Sequence, residues 1–256
     1  MGKGLFDLYD KVCLDLSNNE DKFIDWILDP PGKLSQGMIC NTVAWYTKGE
    51  RWYLDEANYD SINEENSTWY ARKYTGKYPI SYSSNVMKHF KLEKEERLIT
   101  INGKERPVIL LNRAIDNWWN PKIPKYHEIN WLCIPIFSYK DRHPQPFVLN
   151  EQRLKDPVSF YIPPSYNANA GITEESSAKF QAIQMVKEEH LRPLKRMCLN
   201  PEPQMSRPFG LTKTGLEILI YHFYDQFKIF PELAEANSLY SLFKEEVNNR
   251  INIALT

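Results

Sequence analysis

The sequence has 256 residues and a formal net charge of −1, so it can bury a sizeable core, and its overall charge gives no reason to expect a polyanion-binding protein. Hydrophobic residues make up 42% of it and aromatic residues 13%, a composition typical of a folded globule rather than a disordered tail. No apolar run reaches the roughly 18 residues that a membrane-spanning helix needs, which argues against a membrane protein.

Residues 1–34 are predicted to form a helical N-terminal extension. Apolar residues recur there at helical spacing: Leu5, Leu8, Tyr9, Val12 and Leu16. A further helical stretch with Phe23, Trp26 and Ile27 is expected to end at the Pro-Pro-Gly run of residues 30–32.

Residues 35–211 change to short apolar or alternating runs that are typical of β-strands. These runs cover residues 38–46, 79–83, 97–101, 107–112, 130–138, 146–149, 158–162 and 180–186. Short strands at this spacing predict a small barrel or a strongly curved sheet. The polar tract 47–96, which is rich in tyrosine and tryptophan, is predicted to be a long inserted loop or small subdomain.

Residues 212–256 return to a period of 3.6, so we expect closing helices that pack on the barrel. Thr214 and Glu217 have the spacing of a capping box at the start of the first of them. The predicted fold class is therefore α+β, with a helical extension, a β-domain and C-terminal helices.

The four cysteines are far apart in the sequence and include no C-x-x-C pair: Cys13, Cys40, Cys133 and Cys198. We therefore expect reduced thiols in a cytoplasmic protein. Basic residues exceed acidic ones over residues 35–213, whereas both ends of the chain are acidic. This distribution permits a phosphate-binding face in the middle of the chain, although solvation explains it equally well.

An arginine-proline pair, Arg106 and Pro107, stands at the mouth of the predicted strand 107–112. Proline fixes its own φ and favours extended geometry in the residue before it, so the pair can hold a cation beside a rigid sheet. An ordinary strand entry with a solvated arginine is the alternative.

A second polar group follows the predicted strand 130–138 and consists of Ser138, Tyr139, Lys140, Asp141, Arg142 and His143. Its cations can neutralise phosphoryl oxygens, and Ser138 or His143 can move a proton, so the cluster has the chemistry to hold a phosphodiester. A solvated hairpin loop is the alternative interpretation.

Aromatic residues near the predicted strand ends offer stacking surfaces for single-stranded RNA, typically for about 1–3 kcal/mol per base. They are Trp45, Tyr46, Trp118, Trp119 and Tyr139. Burial in a core or an interface is the alternative, above all for the Trp-Trp pair. The sequence contains no Gly-rich phosphate loop, no H-x-x-x-H and no G-x-S-x-G, which favours chemistry without a metal or a cofactor.

Four segments, taken in chain order, resemble the strand motifs of the MazF/PemK family of toxin endoribonucleases: QGMICNTVAWYT, NGKERPVILLN, CIPIFSYKDRHPQPFVL and GITEESSAKFQAIQMVKEEHLRPL. The resemblance covers roughly residues 36–200. It implies a small SH3-like barrel, no cofactor or metal, a homodimer and a small acidic antitoxin partner.

The resemblance also implies roles for single residues. Arg106 matches the family's catalytic arginine, which stabilises the charge of a phosphorane-like transition state. A gapless match puts Phe137 where the family has a catalytic hydroxyl, so Ser138 is the nearest hydroxyl, and His143 is a further candidate. The expected RNA-binding residues are Tyr46, Trp118, Tyr139, Lys140 and Arg142.

We therefore expect a metal-independent endoribonuclease that cleaves single-stranded RNA through a 2′,3′-cyclic phosphate. The sequence leaves two alternatives open. One is a non-catalytic SH3-like barrel that binds a protein or nucleic acid, with Phe137 marking a lost active site, and the other is a structural interaction module.

Overall fold

A computed structural model describes residues 8–17, 22–26, 33–45, 52–58, 60, 67–73, 88, 91, 92, 99, 100, 103–116, 128–139, 143–164, 172–194, 208–227 and 238–256. The chain divides into two compact units. The first consists of Met1–Ala44 and Glu105–Thr256, and the second consists of Trp45–Lys104. The tract 47–96, predicted from the sequence as an insertion, falls within the second unit.

The described helices and strands are, in chain order, α1 (Leu8–Ser17), β1 (Ile24–Trp26), β2 (Ile39–Trp45), β3 (Trp52–Asn58), β4 (Thr68–Lys73), β5 (Ile99–Thr100), β6 (Gly103–Asp116), β7 (Glu128–Ser138), α2 (Gln145–Gln152), β8 (Ser159–Ile162), β9 (Ser176–Lys179), β10 (Gln184–Lys187), β11 (Arg192–Pro193), β12 (Phe209–Leu211), α3 (Lys213–Phe227) and α4 (Ser238–Leu255). In the second unit, β3 pairs antiparallel with β4 and with β5.

The large sheet of the first unit has the strand order β11-β2-β6-β7-β9-β8, and β10 also pairs with β7. The strands β6 and β7 are antiparallel, with Val108 opposite Pro135. The strand β7 then pairs with β10 over its first part and with β9 over its last three residues. A separate pair, β1 with β12, is also antiparallel.

The strands β2 and β6 meet at a bulge. Leu110 donates its N–H to Met38 O at 3.0 Å and accepts from Gly37 N at 2.8 Å, so two residues oppose one. This is the pattern of an antiparallel pair with a bulge, and Gly37 has the φ of +81° that such a bulge assigns to glycine. The end of β2 therefore lies beside the start of β6.

Two apolar clusters lie on the two faces of this sheet, because successive side chains of a strand alternate. The first core cluster packs the sheet against α1, α3 and α4, and includes Tyr9, Phe23, Ile109, Ile134, Phe160 and Phe243. The second core cluster consists of Met38, Cys40, Ala44, Val108, Leu110, Trp131, Cys133, Val186 and Leu191.

The described cysteines are free and buried, in agreement with the expectation of reduced thiols. Cys40 and Cys133 belong to the second core cluster, and burial raises the pKa of each thiol to about 12. Cys198 lies outside the described residues.

Three local predictions are wrong, each for a physical reason. The run 146–149 is helical in α2 rather than a strand, because Pro144 and Pro146 fit the first turn of a helix, where an N–H is not needed. Trp26 lies in β1 rather than in a helix, because β12 pairs with that segment. The helix α3 is capped by Thr212, whose Oγ1 accepts from Gly215 N at 3.1 Å.

The fold is α+β with a mostly antiparallel sheet and several helices, as the sequence predicts at that level. The pairing path through the described strands has two ends, β11 and β8, so these strands do not form the closed barrel that was expected. Among the described helices, none combines the length and the apolar character needed to cross a membrane.

Candidate functional site

Arg106 is held against Phe137 at the end of the β6–β7 pair. The register Val108–Pro135, continued by two residues, puts Arg106 directly opposite Phe137. The guanidinium carbon lies 4.2 Å from the centroid of the Phe137 ring, within the distance of a cation–π contact. The structure thus gives Arg106 a defined position on the sheet, next to the residue that the resemblance aligns with a catalytic hydroxyl.

A row of side chains extends from this pair across the sheet. Phe137 lies opposite Ser177 of β9, and Ser177 lies opposite Tyr161 of β8. Directly opposed residues of antiparallel strands share a face, so Arg106, Phe137 and Ser177 lie on one face. At β8 the row leaves the face of the second core cluster, because Tyr161 packs in the first core cluster with its ring 5.1 Å from that of Tyr9.

Ser138 lies on the other face. It is the next residue along β7 after Phe137 and is opposite Ser176, so strand alternation directs its side chain away from Arg106. The structure therefore does not bring together the two groups that the resemblance implies as a catalytic pair. Two described hydroxyls lie on the arginine's face of the sheet. One is that of Ser177, and the other is that of Thr42 on β2, which the Met38–Leu110 register, continued by four residues, puts opposite Arg106.

Tyr139 follows β7 and is only 4% exposed. Its ring stacks on Tyr161 with centroids 6.3 Å apart, and His143 and Phe147 contact it edge-on. These contacts and the burial enclose the ring within the fold, and the role of Tyr139 in RNA binding stays a prediction. His143 is exposed and stacks on Phe147 of α2 at 5.1 Å.

Glu151 is the buried charge of this region, with a side chain that is 0% exposed. Its carboxylate accepts a very short hydrogen bond from the Tyr139 hydroxyl and a bond of 2.7 Å from Lys179 Nζ. The helix α2 carries Glu151 to this face, and β9 carries Lys179 two residues after Ser177. Pairing with a cation and a hydroxyl is what makes a buried carboxylate tolerable.

A second polar group lies beside the first. Glu175 Oε1 accepts from the Tyr161 hydroxyl at 2.7 Å and from Gln152 Nε2 at 3.0 Å. The Tyr9 hydroxyl donates to Gln152 O at 2.7 Å and so ties α1 to the end of α2. We call the side chains of Tyr139, Glu151, Gln152, Tyr161, Glu175, Ser177 and Lys179 the polar cluster.

The phenols of the polar cluster remain protonated at any ordinary pH. Burial, followed by the neighbouring Glu151 charge, raises the pKa of Tyr139 far above its usual range. Burial and the Glu175 charge do the same to the pKa of Tyr161. Both hydroxyls therefore act as donors to carboxylates rather than as bases.

Four predicted RNA-binding residues, Tyr46, Trp118, Lys140 and Arg142, lie outside the described residues. The sequence interpretation also missed Glu151, Ser177 and Lys179. Glu151 and Lys179 are 28 residues apart, so no local pattern joins them. No local pattern marks Ser177 either, because residues 176–179 have the sequence SSAK and the first three are all buried, so the run shows no alternation.

No group of three or more His, Cys, Asp or Glu side chains in the described ranges is arranged to hold a metal ion. Comparison of the chain with protein-family models, with curated proteins and with solved structures gives no match in any of the three. Function therefore has to be argued from the residues themselves.

Proposed function

We propose that this chain is a metal-independent endoribonuclease of a toxin–antitoxin type, which cleaves single-stranded RNA through a 2′,3′-cyclic phosphate. The observation that carries the proposal is the Arg106 guanidinium fixed over Phe137 at the end of a two-stranded ladder. A guanidinium is charged at every physiological pH, and its planar donors match phosphoryl oxygens. Fixing it in advance suits the stabilisation of a transition state, because no reorganisation is needed.

We propose that the first unit is a distant and enlarged relative of the MazF/PemK family in which the strands form an open, curved sheet rather than a closed barrel. The strand β10 pairs with β7, whereas β11 pairs with β2, and only residues 188–191 separate β10 from β11. So short a segment spans at most about 17 Å. Because this connection is short, the edge of β7 that pairs with β10 lies near the edge of β2 that pairs with β11, and the second core cluster lies between them. Arg106 and Phe137 lie on the face of the sheet that carries this cluster.

The proposed reaction forms a bond from the RNA 2′-oxygen to the adjacent phosphorus and breaks the bond from that phosphorus to the 5′-oxygen. A base must take the 2′ proton, and an acid must give a proton to the leaving 5′-oxygen. Arg106 can do neither, because its guanidinium does not deprotonate, so its role is to stabilise the phosphoryl charge. His143, an exposed imidazole beside Tyr139, is the proposed base that takes the 2′ proton, and the imidazolium so formed is the acid that gives this proton to the leaving 5′-oxygen.

Single-stranded RNA incubated with the purified protein in EDTA tests this proposal. We expect fragments with a 5′-hydroxyl and a 2′,3′-cyclic phosphate. Arg106→Ala should lower the cleavage rate by about 10²-fold or more, the usual effect of removing a preorganised charge stabiliser. Arg113→Ala is the matched control, since Arg113 lies on the same strand in an exposed ion pair with Glu188. An Arg106→Ala protein that cuts at the parent rate would remove the assignment.

The second candidate is a non-catalytic module that binds RNA through the Arg106–Phe137 pair. It is favoured by one observation, that Ser138 lies on the opposite face of the sheet from Arg106 while Phe137 takes the hydroxyl position. Intact RNA that is bound by the parent and lost from Arg106→Ala would select this candidate. The homodimer, the acidic antitoxin and the cytoplasmic location belong to the first proposal only.

A further inference from the structure

His143 and Phe147 form an offset stack at the start of α2. Their ring centroids are 5.1 Å apart and their planes differ by 22°, which is an ordinary geometry for stacked aromatic rings. The Tyr139 ring lies beside both and nearly perpendicular to each, with its centroid 5.5 Å from that of His143 and 6.3 Å from that of Phe147. These two neighbouring rings set the plane of the exposed imidazole.

The stack fixes the plane of the His143 imidazole without occupying its nitrogens. The contact is made by the face of the ring, whereas Nδ1 and Nε2 lie in the ring plane, along which they give and take protons. Aromatic stacking holds the neutral ring, and the attraction of a cation to the face of Phe147 holds the imidazolium. The same contact therefore serves both protonation states that the proposed reaction needs.

Phe147 is itself held by the fold. Its N–H donates to Pro144 O at 3.0 Å, in the first turn of α2. Lys179 Nζ lies over its ring, 5.2 Å from the centroid, and the same ammonium is bound to Glu151, one turn further along the helix. The Phe147 ring also packs against the first core cluster. A ring that is fixed in this way can orient an exposed neighbour.

Contacts connect this stack to the face of the sheet that carries Arg106. Ser177 lies opposite Phe137, and the Arg106 guanidinium lies over the Phe137 ring. The Ser177 hydroxyl is a hydrogen-bonding neighbour of Tyr139, and the Tyr139 ring contacts His143. The proposed base and the proposed charge stabiliser thus belong to one continuous set of contacts at the end of β7.

We propose that Phe147 is a positioning residue for His143 in RNA cleavage. This role rests on the proposed function, in which His143 takes the 2′ proton and gives it to the leaving 5′-oxygen. Phe147 holds the plane of the imidazole, so that less orientational freedom is lost when the RNA 2′-hydroxyl meets a ring nitrogen. Such positioning matters, because a misplacement of about 1 Å can cost about 10²-fold in rate.

A double-mutant cycle on the cleavage of single-stranded RNA tests the proposal. Phe147→Leu keeps the apolar bulk but removes the ring, and it should lower kcat by about 10-fold with little change in KM. Phe147→Tyr keeps the ring and should cleave at close to the parent rate. In a His143→Ala background, Phe147→Leu should have no further effect, because Phe147 acts only through the imidazole.

Phe227→Leu is the matched control for this cycle. It removes the ring from an aromatic contact with Phe223 on α3, where the centroids are 4.8 Å apart, and it should leave the cleavage rate unchanged. A parent that does not cut RNA would overturn the proposed function together with this role. A parent that cuts RNA, with Phe147→Leu equally costly with and without His143, would overturn the role of Phe147 alone. Phe147→Tyr that is as slow as Phe147→Leu would do the same.

Proton NMR of the full-length protein tests the stack without RNA. The ring protons of His143, assigned by their loss in His143→Ala, should lie upfield of an unstacked histidine in the parent and in Phe147→Tyr. They should move downfield in Phe147→Leu, which lacks the ring that causes the shift. Signals that stay in place in Phe147→Leu would overturn the proposal, whatever the cleavage rates.

Discussion

Lys179 is the residue on which the buried charge of Glu151 depends. Its Nζ is 2.7 Å from Glu151 Oε1, the Tyr139 hydroxyl also donates to this carboxylate, and Asp156 lies within hydrogen-bonding reach of it. A buried ion pair contributes little compared with an apolar replacement of both partners, but the loss of one partner strands a charge away from water. Replacing Lys179 alone should therefore lower the free energy of unfolding more than replacing Lys179 and Glu151 together.

We predict that Lys179→Met lowers the free energy of unfolding by about 3 kcal/mol, because it leaves the Glu151 carboxylate buried without its cation. Urea unfolding monitored by fluorescence measures the change. Arg113→Met is the control, since it breaks an exposed pair with Glu188 and should cost less than about 1 kcal/mol. Adding Glu151→Gln to Lys179→Met should recover part of the loss, and equal losses from Lys179→Met and Arg113→Met would contradict the prediction.

At the scale of elements, one histidine joins a helix pair to the sheet. His222 of α3 is fully buried, with Nδ1 at 3.1 Å from the Tyr240 hydroxyl of α4 and Nε2 at 3.2 Å from Ser159 O of β8. Because a carbonyl oxygen can only accept, the hydrogen of the neutral ring must be on Nε2. Burial is the main cause that lowers the pKa of His222 to about 4, with Lys244 lowering it further and Asp225 opposing the shift.

This pKa makes the attachment of α3 and α4 sensitive to acid. His222 takes up a proton near pH 6.5 in the unfolded chain but only near pH 4 in the folded one, so its contribution is complete above pH 6.5 and is lost as the pH falls towards 4. The expected loss is about 3 kcal/mol. Comparing urea unfolding of the parent and His222→Gln between pH 7 and pH 4 isolates this term from the carboxylates. Parallel curves for the two proteins would be the contrary result.

Some elements of this fold can be predicted from local sequence patterns, and others cannot. The strands around residues 107–112 and 130–138 were predictable, because their apolar runs are buried on both faces and follow clear turn signals. The helix α2 was mistaken for a strand, since four apolar or neutral residues after a proline fit either structure. The strand β1 depends on its partner β12, which is about 185 residues away in the chain and invisible to any local pattern.

The residues of the candidate site also differ in whether the sequence predicts their positions. Arg106 was predictable, because the constraint that Pro107 places on its backbone is local. The face on which each hydroxyl lies was not, since it depends on the register of β7 with β9 and on where each strand ends. That is why Ser138 was chosen and Ser177 overlooked, although the two residues lie on neighbouring strands.

At the scale of the whole molecule, the chain passes from the first unit to the second at the end of β2 and returns at the start of β6, and these two strands are neighbours in the sheet. Trp45 ends β2 and Gly103 begins β6, and each is seven residues from the Met38–Leu110 hydrogen bond between these antiparallel strands. The two chain ends are therefore close enough for a tight turn to join them. Loops and insertions at such points are usually tolerated when the host unit has its own core, as the first unit does.

We predict that replacing residues 46–102 by an Asn-Gly turn leaves the first unit able to fold cooperatively. Circular dichroism and thermal unfolding of the shortened chain measure this. A shortened chain carrying Gly215→Ala is the negative control, because the added Cβ would lie 2.3 Å from Phe23 O and should destabilise the unit. Failure of the shortened chain to show a sigmoidal transition would mean that the second unit is required for folding.

The two thiols of the second core cluster give an independent measure of how often that cluster opens. Cys40 and Cys133 are fully buried, and each has a pKa near 12, so neither carries a reactive thiolate while the cluster is intact. An alkylating reagent can reach them only during a transient opening. In a variant with Cys13 and Cys198 replaced by serine, the alkylation rate would therefore report the breathing of the strands that hold Arg106, and RNA bound at Arg106 should slow it.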